Sequence, residues 1–520
     1  MYECLSPNCA YKSPRKDHLR RHRERHYKDR DDQFSRIQLN QDGDHATQDG
    51  LDNDQASMLR RPANLLMAID SGNIAVVKFL LNNGADPNER SETGQTALHV
   101  AVAIENQELV QIFLAINLNN EIKDNLGNTA LHLAAKRSHN SIPQTLIEAS
   151  ANVNSENNCG RTPLHIAAEH GHTLMIKLLL ENGAETGVKD QIDRTPLHLA
   201  ARYGKSDHGM ARILMTSESE VMMKDKFGRT PLHNASEYGH MGAAEALLKH
   251  HADIDARDGK NRTPLYMACK SGKWEMLYFL LTYGPCIGDS YERNTPLHVA
   301  AQAGYDPAVE ALIDKGAVVD AKNSEGRTPL IFAVMNGHCK VVKLLLNSGA
   351  NINAEAGYGN GASLQKASAN GHCEAIRLLL DSGANINAKD RYNYTALHDA
   401  SRDGHYGAVK LLLDSGANVN AKNYYRNTAL HEASFNGRCE VITLLLDSGA
   451  NINAKDRDKS TALHDASRNG YYEAVKLLLD SGANINPGSA WGHSPLQSAL
   501  KHKHDKVAEL LRERGATEDF

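Results

Sequence analysis

Four residues near the amino terminus have the types and the spacing of a metal site. Cys4 and Cys9 are followed by His22 and His26, which gives the pattern Cys-x4-Cys-x12-His-x3-His. Two thiolates and two imidazoles at this spacing suit a tetrahedral zinc ion, because histidines four residues apart lie on one face of a helix. We therefore predict that Cys4, Cys9, His22 and His26 bind one Zn²⁺ ion.

The ligand pattern resembles the two-Cys, two-His zinc finger, and the resemblance implies a small ββα domain. One position departs from that family: Ser13 stands four residues after the second cysteine, where the finger usually carries an aromatic residue. Tyr2 and Tyr11 would then have to supply the apolar packing. We expect the finger to occupy residues 1–27.

The charge of this segment raises the question of nucleic-acid binding. Residues 1–26 carry seven basic and three acidic side chains, a net charge of +4 that suits phosphate contacts. If His22 is helix position 7, the base-reading positions are Arg15, His18 and Arg21. Arginine pairs with guanine, and the resemblance adds His18 on a central guanine, so the hypothesis is a G-rich triplet. The alternative is a structural or protein-binding finger, since one finger has a small DNA interface.

The rest of the sequence repeats with a period of 33 residues. The hexapeptide Thr-Ala-Leu-His-Leu-Ala at 129–134 returns as Thr-Pro-Leu-His-Ile-Ala at 162–167 and Thr-Pro-Leu-His-Leu-Ala at 195–200. Copies, numbered here as repeats 1 to 14, start at Ala63, Thr96, Thr129, Thr162, Thr195, Thr230, Thr263, Thr295, Thr328, Ala362, Thr395, Thr428, Thr461 and Ser494. The intervals are 33 residues except for 35, 32 and 34 at three junctions, where we expect irregular joints.

Each unit predicts two short helices and a loop. Thr or Ser suits the N-cap of the first helix, and Pro or Ala the position after it. Glycines such as Gly404 and Gly416 follow the two apolar segments and suit left-handed helix ends. Gly94 and Asn393, two residues before a start, suit a positive φ angle.

Period and hexapeptide together resemble the ankyrin repeat over about residues 59–520. The resemblance implies an all-α solenoid of helix-turn-helix units with hairpin loops, with the last unit as a cap and with a concave face that binds protein partners. Residues 28–58 between finger and solenoid are rich in Asp, poor in apolar residues and without period, which predicts a disordered acidic linker. The combination is similar to fungal chains that join such fingers to ankyrin arrays.

Some residues have the types found in catalytic sites, but they recur at the same positions of several repeats, which favours a structural role. The hexapeptide histidine recurs in nine units, and in the ankyrin family it bridges the loops of adjacent units by hydrogen bonds. His398, Asp399 and Ser401 imitate a catalytic set, but repeat 13 copies it, and an enzyme does not need a site in every repeat. We predict no catalytic residue, no enzyme activity and no small-molecule substrate.

The composition of the expected concave face changes along the chain. Four residues after the start, early repeats carry mostly apolar residues, whereas repeats 11 to 13 carry Asp399, Glu432 and Asp465. Aromatic residues also gather near the later loop tips. Tyr and nearby Arg are enriched at protein interfaces. We predict a partner-binding patch within residues 390–470, formed by Tyr392, Tyr394, Asp399, Tyr424, Tyr425, Glu432 and Asp465; the alternative is sequence drift at solvated tips.

Bulk composition limits the cellular setting. The chain has 520 residues, a formal net charge of −5, eight cysteines and 5% aromatic residues, with no apolar run long enough to cross a membrane. Free thiols without a secretory signal favour a reducing, intracellular compartment. The leading hypothesis is a non-enzymatic scaffold or adaptor with a regulatory role in the nucleus. The alternative is a cytosolic adaptor whose finger is structural or protein-binding.

Overall fold

The computed structural model describes most of the repeat region and little before it. The described residues are 2–3, 12–13, 63–137, 141–204, 208–215, 218–288, 294–355, 357, 361–490 and 492–517. The predicted zinc ligands Cys4, Cys9, His22 and His26, the predicted DNA contacts Arg15, His18 and Arg21, and the predicted linker 28–58 lie outside the described residues. Those predictions stay predictions.

The described secondary structure is almost entirely helical. Two short strands, β1 (Tyr2–Glu3) and β2 (Lys12–Ser13), pair antiparallel, with Tyr2 opposite Ser13. In chain order, helices α1 to α29 are Ala63–Asp70, Ile74–Asn82, Ala97–Ala103, Gln107–Ala115, Ala130–Ala135, Ser141–Glu148, Pro163–His170, Thr173–Glu181, Pro196–Tyr203, His208–Leu214, Glu218–Val221, Pro231–Tyr238, Met241–Lys249, Pro264–Lys270, Trp274–Leu281, Pro296–Ala303, Asp306–Asp314, Pro329–Met335, Cys339–Asn347, Ser363–Ala369, Cys373–Asp381, Ala396–Asp403, Tyr406–Asp414, Ala429–Phe435, Cys439–Asp447, Ala462–Arg468, Tyr472–Asp480, Pro495–Lys501 and Asp505–Glu513.

These helices fall into the predicted repeats, two to a repeat, with α11 as an extra turn in repeat 5. Contacts divide the chain into two compact units, one of residues 1–68 and 75–86 and one of residues 69–74 and 87–520. In the second unit, the first helix of each repeat packs on the first helices of its neighbours, as α22 does with α20 and α24. Leu397, Leu430 and Leu463 are completely or almost completely buried there. The core therefore runs continuously from repeat to repeat.

Helix boundaries follow the capping residues. Thr395 precedes α22 with an extended backbone (φ −109°, ψ 167°), and Gly404 ends that helix in the left-handed region at φ 83°. Asn393, two residues before the start, has φ 59°, and Gly94 has φ 74°, as predicted. No helix in the described part of the chain is both long enough and apolar enough to traverse a lipid bilayer.

A buried imidazole joins nine of the repeats to the next one. In repeat 11 the Thr395 N–H donates to His398 Nδ1 (3.2 Å), and His398 Nε2 donates to the Asn427 carbonyl (3.0 Å) of the following hairpin. The same Nε2 bridge, 2.8–3.3 Å long, is made by His99, His132, His165, His198, His233, His298, His431 and His464. The bridging role that the family resemblance implied is confirmed. Because one nitrogen accepts and the other donates, each ring is neutral.

A second set of side chains binds the preceding repeat. His338, His372 and His405 stand just before second helices, and their Nε2 atoms donate to carbonyls at the ends of the previous first helices, each at 3.0 Å. In repeat 12 Arg438 takes this place, and its Nε donates to the Arg402 carbonyl at 3.3 Å. These bonds were not predicted from the sequence.

Two departures from the repeat pattern, the histidine replacement in repeat 10 and the 35-residue interval after repeat 5, keep the bridge. Gln365 replaces histidine in repeat 10, yet it accepts from the Ala362 N–H (2.6 Å) and donates to the Tyr394 carbonyl (2.7 Å). In repeat 5 the bridge from His198 reaches Arg229, 31 residues later instead of 29. The two inserted residues and α11 are therefore accommodated between bonded ends.

Neighbouring hairpin tips are joined by backbone hydrogen bonds. The Tyr424 N–H donates to the Tyr392 carbonyl at 2.7 Å, and the Arg457 N–H donates to the Tyr425 carbonyl at 2.9 Å. Since the main chain alone makes these contacts, the tip side chains do not have to hold the hairpins together.

The imidazole bridges predict a loss of stability in mild acid. Burial lowers the pKa of His398, His431 and His464 to about 4, below the unfolded value of 6.5. As the pH falls from about 6.5 towards 4, the unfolded chain takes up protons that the folded chain excludes. Each histidine then lowers the free energy of unfolding by up to about 1.4 kcal/mol per pH unit. Urea denaturation at about pH 7.5 and pH 5 measures the difference.

The matched variant is a triple substitution of His398, His431 and His464 by Gln, because Gln365 makes the same two bonds without titrating in this range. We expect it to fold and to lose part of the pH dependence. His170→Gln at an exposed position is the control and leaves the dependence unchanged. An identical pH dependence in the wild type and the triple variant would contradict the assignment.

Candidate functional site

The residue four positions after each repeat start changes character along the stacked first helices. This position is occupied in repeats 2, 3, 4, 5, 7, 8 and 9 by Val100, Leu133, Ile166, Leu199, Met267, Val299 and Phe332, and in repeat 10 by Lys366. Repeats 11 to 13 place Asp399, Glu432 and Asp465 on the neighbouring helices α22, α24 and α26, and we call these three residues the acidic row. A position that is mostly apolar earlier in the chain thus carries acidic residues in repeats 11 to 13.

Asp399 has an ion-pair partner on its own helix. Arg402 Nη2 donates to Asp399 Oδ1 at 2.6 Å, and its guanidinium lies 5.8 Å from the centre of the Tyr394 ring. Burial nevertheless raises the pKa of Asp399 to about 6, although the positive charges of Arg402 and Lys366 oppose the shift. The first member of the row is paired and half-buried.

Glu432 has only neutral partners. Its Oε1 accepts long hydrogen bonds from the Asn423 and Asn427 amides (3.3 and 3.4 Å), and its carboxylate also accepts from the Tyr394 hydroxyl. The side chain is 7% exposed, and burial raises its pKa above the ordinary value. The charge of Glu432 and burial raise the pKa of Tyr394 in turn, to about 12, with burial the larger cause.

Of the three residues of the acidic row, Asp465 has the fewest hydrogen-bond and ion-pair partners. The residue is 7% exposed, and within the described parts of the chain no donor makes a hydrogen bond or ion pair with its carboxylate. Burial is the main cause that raises its pKa to about 8; the charges of Asp456 and Glu432 add to the shift, and Arg468 opposes it. A buried carboxyl group without a donor is energetically unfavourable.

The aromatic residues of the predicted patch divide into two groups. Tyr392, Tyr424 and Tyr425 lie at hairpin tips and are 42%, 54% and 47% exposed. Tyr394 does not: it is half-buried, packs edge-on against His398 with ring centres 5.7 Å apart, and binds Glu432. Within the predicted patch Tyr394 therefore lies with the acidic row, because its hydroxyl turns inward to Glu432.

Arginine side chains contact two of the exposed tyrosines. Arg391 lies over the Tyr392 ring at 4.5 Å and Arg457 over the Tyr424 ring at 5.6 Å, distances typical of cation–π contacts. Arg426 follows Tyr425 in the sequence and adopts φ 62° at its hairpin, but the cation–π contact with Tyr424 comes from Arg457 of the next repeat. Asp456, whose charge acts on the Asp465 carboxyl, was also not identified from the sequence. Its position in the hairpin just before Asp465 could have indicated this.

The set of His398, Asp399 and Ser401, which imitates a catalytic site, contains no histidine nitrogen that is free to act as a base. His398 Nδ1 accepts from the Thr395 N–H and Nε2 donates to a carbonyl, so neither nitrogen can take a proton from Ser401, which is fully buried. No group of three potential metal ligands gathers among the described residues. Cys339, Cys373 and Cys439 are free, half-buried thiols. The arrangement offers carboxylates and aromatic rings for binding.

Comparison with known proteins gives a family over most of the chain. A family model described as ankyrin repeats (3 copies) matches residues 65–157, 138–221, 205–291, 285–356, 364–456 and 430–519. The match covers almost the whole repeat region.

Similar curated proteins share short segments. The chain is 34% identical over 88 residues to a transient receptor potential cation channel subfamily A member 1 homolog of Caenorhabditis elegans, covering 17% of this chain and 7% of that one. It is 35% identical over 86 residues to ankyrin repeat and SOCS box protein 5 of Oryctolagus cuniculus (16% and 26%), and 37% identical over 88 residues to NF-kappa-B inhibitor alpha of Mus musculus (16% and 28%).

The chain thus spans less than a third of the length of these relatives. The imidazole bridges, the capped helix pairs and the family match lead to one conclusion: this chain belongs to the ankyrin-repeat family.

Proposed function

We propose that the chain is a non-enzymatic scaffold whose partner protein binds the acidic row and the exposed tyrosines of repeats 11 to 13. The observation that carries this proposal is Asp465: its side chain is only 7% exposed, no donor among the described residues reaches its carboxylate, and the carboxylate oxygens are not fully enclosed. The fold does not need an acid there, since Leu133 and Leu199 fill the same position in other repeats. A group that costs stability and is not needed by the fold is typical of a binding site.

The tyrosines supply the apolar part of the same interface. Tyr392, Tyr424 and Tyr425 expose large rings on tips that the main chain already fixes. Rigid tyrosines next to arginines lose little conformational entropy on binding and often carry much of the binding energy. Membership of the ankyrin-repeat family and the name of one relative, NF-kappa-B inhibitor alpha, support an interaction role.

A second proposal concerns the amino-terminal segment: Cys4, Cys9, His22 and His26 hold one Zn²⁺ ion. The antiparallel pairing of β1 with β2 supports it, because the two strands stand on either side of Cys4 and Cys9 in the sequence. Zinc would stabilise the folded finger. Arg15, His18 and Arg21 would then read a G-rich triplet and give the scaffold a regulatory role in the nucleus; a structural or protein-binding finger in the cytosol is the alternative.

The tyrosines give the first test of the scaffold. Residues 59–520 are used for affinity capture followed by mass spectrometry, in the wild type and in a Tyr392→Ala/Tyr425→Ala/Asp399→Ala variant. We expect the variant to lose the specifically captured protein, because it lacks two exposed rings and one acid. Tyr406→Ala is the matched control: Tyr406 is 43% exposed but lies on the second helix α23. Capture that survives the triple variant would argue against this face.

The buried acid gives a test that does not need the partner. Asp465→Leu restores the apolar residue type of the early repeats and removes an unpaired buried carboxyl, so we expect the free energy of unfolding to rise by about 1–3 kcal/mol. Chemical denaturation at neutral pH measures it. Asp414→Asn, an exposed acid on α23, is the control and should change little. A clear loss of stability in Asp465→Leu would mean that the carboxylate has a structural role.

The finger is tested on residues 1–58. We expect this segment to bind one equivalent of zinc, and Cys4→Ala to abolish stoichiometric binding because a thiolate ligand is lost. Fluorescence anisotropy with a GGG-bearing duplex and a scrambled duplex then tests DNA binding, with Arg21→Ala expected to weaken binding to the GGG duplex alone. Equal affinity for both duplexes, or binding that does not require zinc, would exclude sequence-specific recognition.

A further inference from the structure

The three acids of the acidic row differ in how far their charge is compensated. Asp399 is paired with Arg402 at 2.6 Å, Glu432 accepts only from neutral groups, and Asp465 has no donor among the described residues. The acid four positions after the start therefore becomes less compensated from repeat 11 to repeat 13.

Repeat 11 contains its own example of what such an acid binds. The Arg402 guanidinium donates to Asp399 and lies over the Tyr394 ring, so one arginine is held by a carboxylate and an aromatic face. In repeat 13 the corresponding residue is Arg468, which is exposed and makes no ion pair with Asp465 within the described residues. Repeat 13 therefore has the carboxylate of this arrangement, but no arginine of the described residues is paired with it.

The charges around Asp465 favour a cation. The groups that act on its carboxyl are Asp456 in its own hairpin, Glu432 on α24 and Arg468 on α26, two acids against one exposed base. The following repeat presents Ser498 at the equivalent position on α28 and adds no charge there. Because the described residues gather no set of three metal ligands, a cationic side chain fits the site better than a metal ion.

Spacing adds a constraint on the segment that carries the cation. Stacked helices lie about 8–10 Å apart, and three residues of extended chain span about 10 Å. A segment in the polyproline II conformation, with three residues per turn and a rise of about 3.1 Å per residue, would therefore present one side chain in every three to each repeat. Arginines at that spacing could follow the acidic row.

We propose that Asp465, supported by Glu432 and Asp456, receives an arginine side chain from an extended basic segment of the partner protein. This inference rests on the scaffold function proposed above and specifies the chemistry of its partner. A guanidinium supplies the donors that the buried carboxylate lacks, and pairing removes an unfavourable buried group.

Proton release is the specific signature of this site. Burial and two neighbouring acids keep Asp465 largely protonated at neutral pH, with a pKa of about 8. An arginine can pair only with the ionised carboxylate, so binding displaces the proton. The affinity should rise as the pH increases from about 6 to 8.5, whereas binding at an exposed acid would change little over this interval.

The test uses the full chain and isothermal titration calorimetry at low ionic strength. The probe is a peptide of Gly-Gly-Arg units, and the matched probe carries citrulline, a neutral isostere, in place of arginine. We expect the arginine peptide to bind and the citrulline peptide not to bind. Titration in two buffers of different ionisation enthalpy should show net proton release to the buffer at about pH 7.

Two variants assign the signal to the site. Asp465→Asn keeps the size of the side chain and removes its charge, and we expect it to weaken binding by about thirtyfold or more and to abolish proton release. Asp465→Leu should act in the same way and guards against a folding defect, which circular dichroism would detect. Asp414→Asn removes one exposed negative charge outside the site and should leave both signals unchanged.

Each remaining outcome would overturn the proposal. Equal binding of the citrulline peptide would indicate an uncharged segment, and binding that persists in Asp465→Asn would place the arginine elsewhere. Absence of binding at low ionic strength would also overturn it. The scaffold function is tested separately by Tyr392→Ala/Tyr425→Ala/Asp399→Ala capture, so its failure can be distinguished from the failure of this proposal.

Discussion

The imidazole bridge is the interaction on which the architecture of most described repeats depends, although Tyr266 and Ile331 stand at its position in repeats 7 and 9. His398 accepts from the N-cap of its own helix and donates to a carbonyl of the next hairpin, and both contacts are buried. Without it, a buried N–H and a carbonyl would each lose a partner. Gln365 shows that the requirement is for one acceptor and one donor at the right separation, and an imidazole is one of two side chains that meet it.

This constraint leaves other positions free to vary. The N-cap, the bridging side chain, the core leucine and the helix-ending glycine are fixed by the backbone bonds that they make or permit. The residue four positions after the start is not fixed in this way, and it is Leu133 in repeat 3, Phe332 in repeat 9 and Asp465 in repeat 13. The side chains at the hairpin tips can vary in the same way, because Tyr424 and Arg457 make their contacts between hairpins through backbone N–H groups. Binding chemistry can therefore change without a change of fold.

The difference between positions fixed by backbone bonds and positions free to vary also explains which features could be predicted from the sequence. Repeat starts, helix ends and positive φ at Asn393 follow from local rules, and the structure confirms them. The inward turn of Tyr394, the contact from Arg457 and the burial of Asp465 depend on side chains one repeat away, which share no local pattern with them. The sequence indicated the region of the candidate site, and packing between repeats determined which residues share it.

A solenoid can also tolerate a costly group better than a single globular core. Its stability is approximately a sum over repeats and their interfaces, so an unpaired acid in repeat 13 weakens chiefly its own repeat and the two adjoining interfaces. His431 and His464 bridge that repeat on both sides, and Leu463 and Ala466 fill its core. The acid thus lies where the framework is most regular and can hold a destabilising residue in place. A binding site placed in this way keeps its geometry before the partner arrives, and less of the binding energy is lost to ordering.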